Sequence, residues 1–162
     1  MTVSEIIVEM VKQSNGNLHD ICHFMKVYAY ARTIAECEKI APEEQKTVEI
    51  AAVIHDIACP LCREKYGNTN GKLQEQEGVV LAREFLKGSG LPEKMTERII
   101  FLVGHHHTLQ EVDGMDYQIL LEADYLVNAD EAGYDRRNLQ NAADHLFKTA
   151  TGKELLRSVY GI

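Results

Sequence analysis

Tryptophan is absent from this chain, and its three prolines and four cysteines are too few for a polyproline tract or a disulfide framework. Reduced thiols are therefore expected at Cys22, Cys37, Cys59 and Cys62. Cys59-Pro60-Leu61-Cys62 has the spacing of a redox pair or of half a zinc site, but no second pair completes four ligands. Small buried hydrophobic groups are the plainer reading of both. Cations are also scarce: 17 Lys and Arg against 25 Asp and Glu give a formal charge of −8. Without a basic cluster, stable nucleic-acid binding is not expected, and an anionic substrate would need a local cation to receive it. Apolar runs fall short of the roughly 20 residues of a membrane span. The opening MTVSEIIVEM lacks the basic-then-apolar order of a signal peptide, so a cytoplasmic protein without membrane contact is expected.

What is present suits one globular unit. A hydrophobic fraction of 45% and a charged fraction of 26% over 162 residues predict a single domain, 1–162. Its motif-bearing core lies at about 17–130, with C-terminal helices at 135–160. Apolar residues recur three and four apart with no sustained alternation, which predicts an all-α bundle of about six to eight helices. Thr2 or Ser4 caps a first helix that ends near Ser14-Asn15-Gly16. A longer one runs from about Asn17 to Lys39 with Ile21, Met25, Tyr28 and Ala31 inward. Pro42 opens a third, which carries His55 and Asp56 in its last turn and is stopped by Pro60. Leu61 to Lys72 reads as an irregular loop directly after the candidate site, where loops often cover substrate. Further helices are expected from Leu73 to Leu86, from Pro92 to the triplet His105-His106-His107, and from Asp116 to Ala129.

The chemistry-bearing residues lie on these helices. His55 and Asp56 join an imidazole to a carboxylate, a pairing suited to Mn, Fe, Co, Ni or Zn. Adjacent helix positions diverge by about 100°, so both reach one ion only where the helix ends. His23 and Asp124 sit within otherwise apolar faces, and a carboxylate among Leu120, Leu121, Ala123, Leu126 and Val127 calls for a cation or strong donors.

The order His, His-Asp, His-His, Asp along successive helices resembles the HD-domain superfamily of metal-dependent phosphohydrolases, as do Ala-Ala-Val-Ile before His55-Asp56 and Glu-Ala-Asp-Tyr-Leu around Asp124. The resemblance implies a bundle of the HD-domain type, with His23, His55, Asp56 and Asp124 as ligands of a first metal. It implies a possible second metal at His105 and His106. The usual earlier histidine is missing, and Gln74-Glu75-Gln76-Glu77-Gly78 stands in its place, so Glu75, or less favourably Glu77, is an oxygen ligand to weigh there. Where many relatives follow the His-Asp pair with Gly-Lys or a carboxylate, this chain has Ile57-Ala58-Cys59-Pro60. Proton donation and phosphate binding must then come from elsewhere. Asp56, His105 and His106 are the catalytic candidates, and Lys26, Lys65 and Lys72 the candidates for binding phosphate, with a solvated surface role weighed against each lysine.

The function implied is hydrolysis of a nucleotide or other small phosphorylated metabolite, with one or two divalent transition ions, by a monomer or homodimer. Two alternatives stay open: a di-iron oxygenase of the HD-domain type, and a metal-stabilised binding or regulatory domain without catalysis. His19 shares a face with His23 but reads as a surface residue, as does His145, and Tyr66 and Tyr125 read as packing groups rather than as platforms for a base.

Overall fold

The computed structural model describes residues 1–162 as nine helices without a strand. They are α1 (Val3–Gln13), α2 (Leu18–Glu38), α3 (Pro42–Ile54), α4 (Cys59–Tyr66), α5 (Gly71–Phe85), α6 (Glu93–Val103), α7 (Met115–Glu131), α8 (Arg136–His145) and α9 (Ala150–Tyr160). Local chemistry fixes several starts. Thr2 and Glu5 form a reciprocal capping box on α1, Asn17 accepts from the Asp20 N–H of α2, and Pro42 occupies the first turn of α3, where its missing N–H costs nothing.

The centre of the bundle is α3, whose residues from Thr47 to Ile54 are buried without a break and which packs against α1, α2, α6 and α7. A helix covered on every side reads as a continuous apolar run, as Val48, Ile50, Ala51, Ala52, Val53 and Ile54 do. On α2 the inward stripe is Phe24, Val27, Ala31 and Ile34, while Met25, expected inward, is exposed.

Three boundaries differ from expectation near the site. α3 ends at Ile54 with His55 as its cap, so the chain is already turning at Asp56. Pro60 does not stop α3 but stands in the first turn of α4. The segment from Leu61 to Lys72 is therefore not one loop. Cys59 and Cys62, three apart, are buried and anchor α4, and only Gly67 to Asn70 remain between α4 and α5. α6 ends at Val103, which leaves the three histidines in a turn rather than on a helix.

At the far end, α9 docks its first turn on a buried carboxylate of α7. Glu122 is fully buried and accepts from the N–H groups of Lys148 and Thr149 at 2.6 and 2.9 Å, from the Thr149 hydroxyl and from the Gln118 carboxamide. Gly152 lies against it, and a Cβ there would collide with the Glu122 carboxylate. Helix propensity alone favours Gly152→Ala by about 1 kcal/mol. Packing reverses the sign, and a net loss of about 1–3 kcal/mol is expected. Chemical denaturation of the variant checks this, and a gain in stability would show that the α9 docking can relax.

Candidate metal centre

Three helices deliver four donor atoms to one place. His23 comes from α2, His55 and Asp56 from the end of α3, and Asp124 from α7. His23 Nε2 is 3.2 Å from His55 Nε2, 3.4 Å from Asp56 Oδ2 and 3.3 Å from Asp124 Oδ1. His55 Nε2 is 3.6 Å from Asp56 Oδ2 and 3.4 Å from Asp124 Oδ1. His23, His55 and Asp56 place their donor atoms within 4.8 Å of one another, and Asp124 Oδ1 adds a contact to each imidazole from outside that set. The end of α3 at Ile54 is what lets both His55 and Asp56 join that set.

The outer nitrogens fix which way the lone pairs point. His55 Nδ1 donates to the Ala52 carbonyl at 2.9 Å and His23 Nδ1 donates to Glu131 Oε2 at 2.8 Å, so both Nε2 atoms turn toward the centre as acceptors when the rings are neutral. Two imidazoles that face each other and two carboxylates call for a cation among them. One proton can bridge only two of the four atoms, and buried Asp124 Oδ1 has no aligned hydrogen bond at all. The donor set therefore fits a divalent transition ion.

Charge follows the same geometry. Burial opposes the charged form of His23, yet the nearby carboxylates of Asp124, Asp56 and Glu131 outweigh this and push its pKa up to about 9. Burial likewise disfavours ionised Asp56 and Asp124, but the surrounding imidazoles hold both well below the usual carboxylate range. Glu131 is also lowered, against its partial burial, by His23 and Lys26.

Asp56 connects this group to a second one. Its Oδ1 lies 3.2 Å from His106 Nε2, and Asp56, His106 and His107 form a further set whose donor atoms lie within 4.8 Å of one another. His106 is buried, gives its Nδ1 proton to the Val103 carbonyl at 2.7 Å, and leaves Nε2 without an aligned hydrogen bond. The histidine turn is pinned from two sides. Glu75 of α5 accepts from the His107 N–H at 3.0 Å and from the Thr108 hydroxyl at 2.9 Å, and the buried Tyr117 hydroxyl sits between the carbonyls of His105 and Thr108 at 2.7 and 2.6 Å.

Several expected site residues are therefore used differently. His105 does not join either donor group: its ring stacks on Phe101 at 4.0 Å and its Nδ1 bonds the Phe101 carbonyl at 2.7 Å. Glu75 clamps backbone instead of facing the cluster, and Glu77 is engaged by Lys65 at 2.6 Å and by the Tyr66 hydroxyl. That ion pair takes Lys65 to the surface, and Lys72 is exposed at the start of α5. Lys26 pairs with Glu131 Oε1 at 3.1 Å, a fixed carboxylate close at hand, so it acts on the partner of His23 rather than on the cluster. Cys59 and Cys62 are unpaired and buried, as small hydrophobic groups are, and the Cys59 thiol donates to Gln74 Oε1 at 3.2 Å.

A family model described as the HD domain matches residues 20–145, most of the chain and every residue of both donor groups. This chain belongs to the HD-domain family. The fold has a solved counterpart in a protein of an uncultured Thermotogales bacterium, described as a "predicted HD superfamily hydrolase". The two share 23% sequence identity with a TM-score of 0.72, over 98% of this chain and 84% of that one. No curated protein matches the chain.

Beside the donor cluster of this HD-domain protein lies a cavity of about 950 Å³ bounded by α7, α8 and the histidine turn. His106, His107 and Asp124 reach it, and Tyr125 and His145, which read as packing and surface residues in the sequence, form part of its wall. Lys26, Lys65 and Lys72 do not. No helix is long and apolar enough to cross a membrane.

Two predictions arise here. A metal ligand must be a neutral imidazole, so below pH 9 an incoming ion has to displace the proton that His23 holds with a pKa of about 9. Metal affinity should then rise about tenfold per pH unit toward that value and flatten above it, with about one proton released per ion near pH 7. Calorimetry in buffers of differing ionisation enthalpy counts the proton, and a heat independent of buffer would contradict the expectation. Glu131→Ala removes the carboxylate that orients His23, and should weaken metal binding by about 10–100-fold while the fold persists. Competition against a chromogenic chelator measures this.

Proposed function

We propose that this HD-domain protein is a metal-dependent phosphohydrolase acting on a nucleotide or other small phosphorylated metabolite. The observation that carries the reading is the set His23, His55 and Asp56, with Asp124 against both imidazoles, beside a cavity that can receive an organic group. A divalent transition ion bound there supplies a Lewis acid that makes water nucleophilic near neutral pH and offsets the charge of a phosphoryl oxygen.

The chain's own residues supply the rest. Asp56 spans the two donor groups, Oδ2 toward His23 and His55 and Oδ1 toward His106. With Nδ1 committed to Val103, His106 exchanges protons only at Nε2. Burial works against its charged form, but Asp56 beside it raises its pKa, and Nε2 is the nitrogen that faces the cluster. That makes His106 the general acid for the leaving oxygen, a role that Ile57-Ala58-Cys59-Pro60 cannot fill. Lys26 and Glu131 keep His23 oriented. The hydrolase description of the Thermotogales protein points the same way.

Metal-free protein reloaded separately with Mn, Fe, Co, Ni or Zn and screened against nucleotides and sugar phosphates tests the reading. Anaerobic phosphate release by at least one metal form is the expected result. Asp56, His106 and His107 favour a second reading in which two ions bind, as in a di-iron oxygenase. Two irons per chain with substrate-dependent oxygen consumption would replace the hydrolase. Ligand binding with no turnover by any metal form would mark a non-catalytic binding domain.

A further inference from the structure

The cavity has a definite chemical character. Its volume of about 950 Å³ lies toward the upper end of small-molecule sites, roughly 300–1,000 Å³. Asn128 and the exposed Asn138 and Asn141 are among its lining residues, and Tyr125 and Tyr134 contribute rings 5.4 Å apart and inclined at 58°. Asn138 engages its neighbours through its backbone, its N–H bonding Asp135 and its carbonyl accepting from Tyr125, which leaves the carboxamide free to meet a ligand. A carboxamide donates and accepts at once, so its best complement is a neutral group that does the same, such as a hydroxyl or a ring amide.

Positive charge is correspondingly thin. Lys148 is the only Lys or Arg on the cavity wall. Polyphosphate chains are generally held by several Lys or Arg side chains together with metal, because each added phosphate brings further charge out of water. Here the donor cluster, once it holds an ion, offers a place for a single phosphate at one end, and the remaining wall is mostly uncharged.

We infer that the substrate is a phosphate monoester of an uncharged, hydrogen-bonding organic group, a nucleoside or a polyol, with Asn128 and Asn141 setting its specificity. The phosphate lies at the metal-loaded donor cluster and the organic group fills the cavity. This rests on the phosphohydrolase reading above.

The test measures kcat/KM of the metal-loaded protein for nucleoside monophosphates, the matching triphosphates, glycerol phosphate and p-nitrophenyl phosphate. Monophosphates should exceed their triphosphates by tenfold or more, and the nucleoside and glycerol arms decide which organic group is meant. Asn128→Leu and Asn141→Leu should each lower the preference for the favoured ester over p-nitrophenyl phosphate by about tenfold, the scale of one lost hydrogen bond. Equal or better use of triphosphates would overturn the inference while leaving the hydrolase reading intact. So would a preference unmoved by both variants, or turnover of p-nitrophenyl phosphate with no preference for either organic group. If no ester is hydrolysed in any metal form, the hydrolase reading fails. Calorimetric titration with adenosine and with glycerol then decides the cavity separately: saturable binding weakened by Asn141→Leu supports the assignment, and no binding of either overturns it.

Discussion

Asp124→Asn is expected to keep the fold and lose the metal. The carboxamide has the shape of the carboxylate, but it carries no charge to set against an ion in a buried site shared with His23 and His55. Loss of a residue that merely orients a ligand costs about 10–100-fold in metal affinity or activity, so loss of a ligand should exceed the upper figure in both. Thermal unfolding gives a readout independent of turnover. At a metal concentration of 100 times Kd the parent protein gains about 2.7 kcal/mol. For a chain of this size that raises Tm by roughly 5–10 °C. The variant should show no shift at the same concentration. An unchanged response to metal would remove Asp124 from the ligand set.

Glu122→Ala should produce the largest loss of stability. Its carboxylate gathers the N–H groups of Lys148 and Thr149, the Thr149 hydroxyl and the Gln118 carboxamide in a place water does not reach. Truncation strands these donors and removes the negative charge at the start of α9, where the helix dipole favours it. A cost of about 3–5 kcal/mol is expected. The corresponding fall in Tm is roughly 6–20 °C. Glu122→Gln, which retains an acceptor, should recover most of it. A truncated variant as stable as the parent would show that α9 is held by its apolar contacts alone.

Glu122 and Asp124 show where sequence reading reaches its limit. Both are buried carboxylates two positions apart on α7, and both demand compensation. The demand was legible for Asp124, because the surrounding leucines announce burial and His23 and His55-Asp56 offer a common purpose. The partner of Glu122 lies in backbone N–H groups more than twenty residues away, which no side-chain pattern reveals. Helix order and most starts were readable from caps and prolines. The end of α3 was readable only as a requirement, that it stop near His55 for two adjacent residues to share an ion.

The second donor group was harder to read. His105, His106 and His107 occupy a turn, where helical spacing no longer says which ring faces inward, and the pinning by Glu75 and Tyr117 selects His106 and His107. Glu131 left a usable trace: it stands seven residues, two helical turns, beyond Asp124, on the same face of α7, but the helix was expected to finish at Ala129. Lys26 was expected to face phosphate; its partner Glu131 is 105 residues distant, and only the tertiary structure shows the ion pair they form. The carboxamides of α7 and α8 carry no motif, and their shared cavity emerges from packing.

The bracing of the histidine turn by Glu75 and Tyr117 bears on how fast the second donor group, Asp56, His106 and His107, can be filled. Rings already held in place when the chain folds do not have to be ordered by an arriving ion, so that entropy loss is borne once, by folding. Loading should then follow a single exponential whose rate tracks how readily the chosen cation sheds its own water, slower for nickel than for manganese, with no lag for rearrangement of the turn.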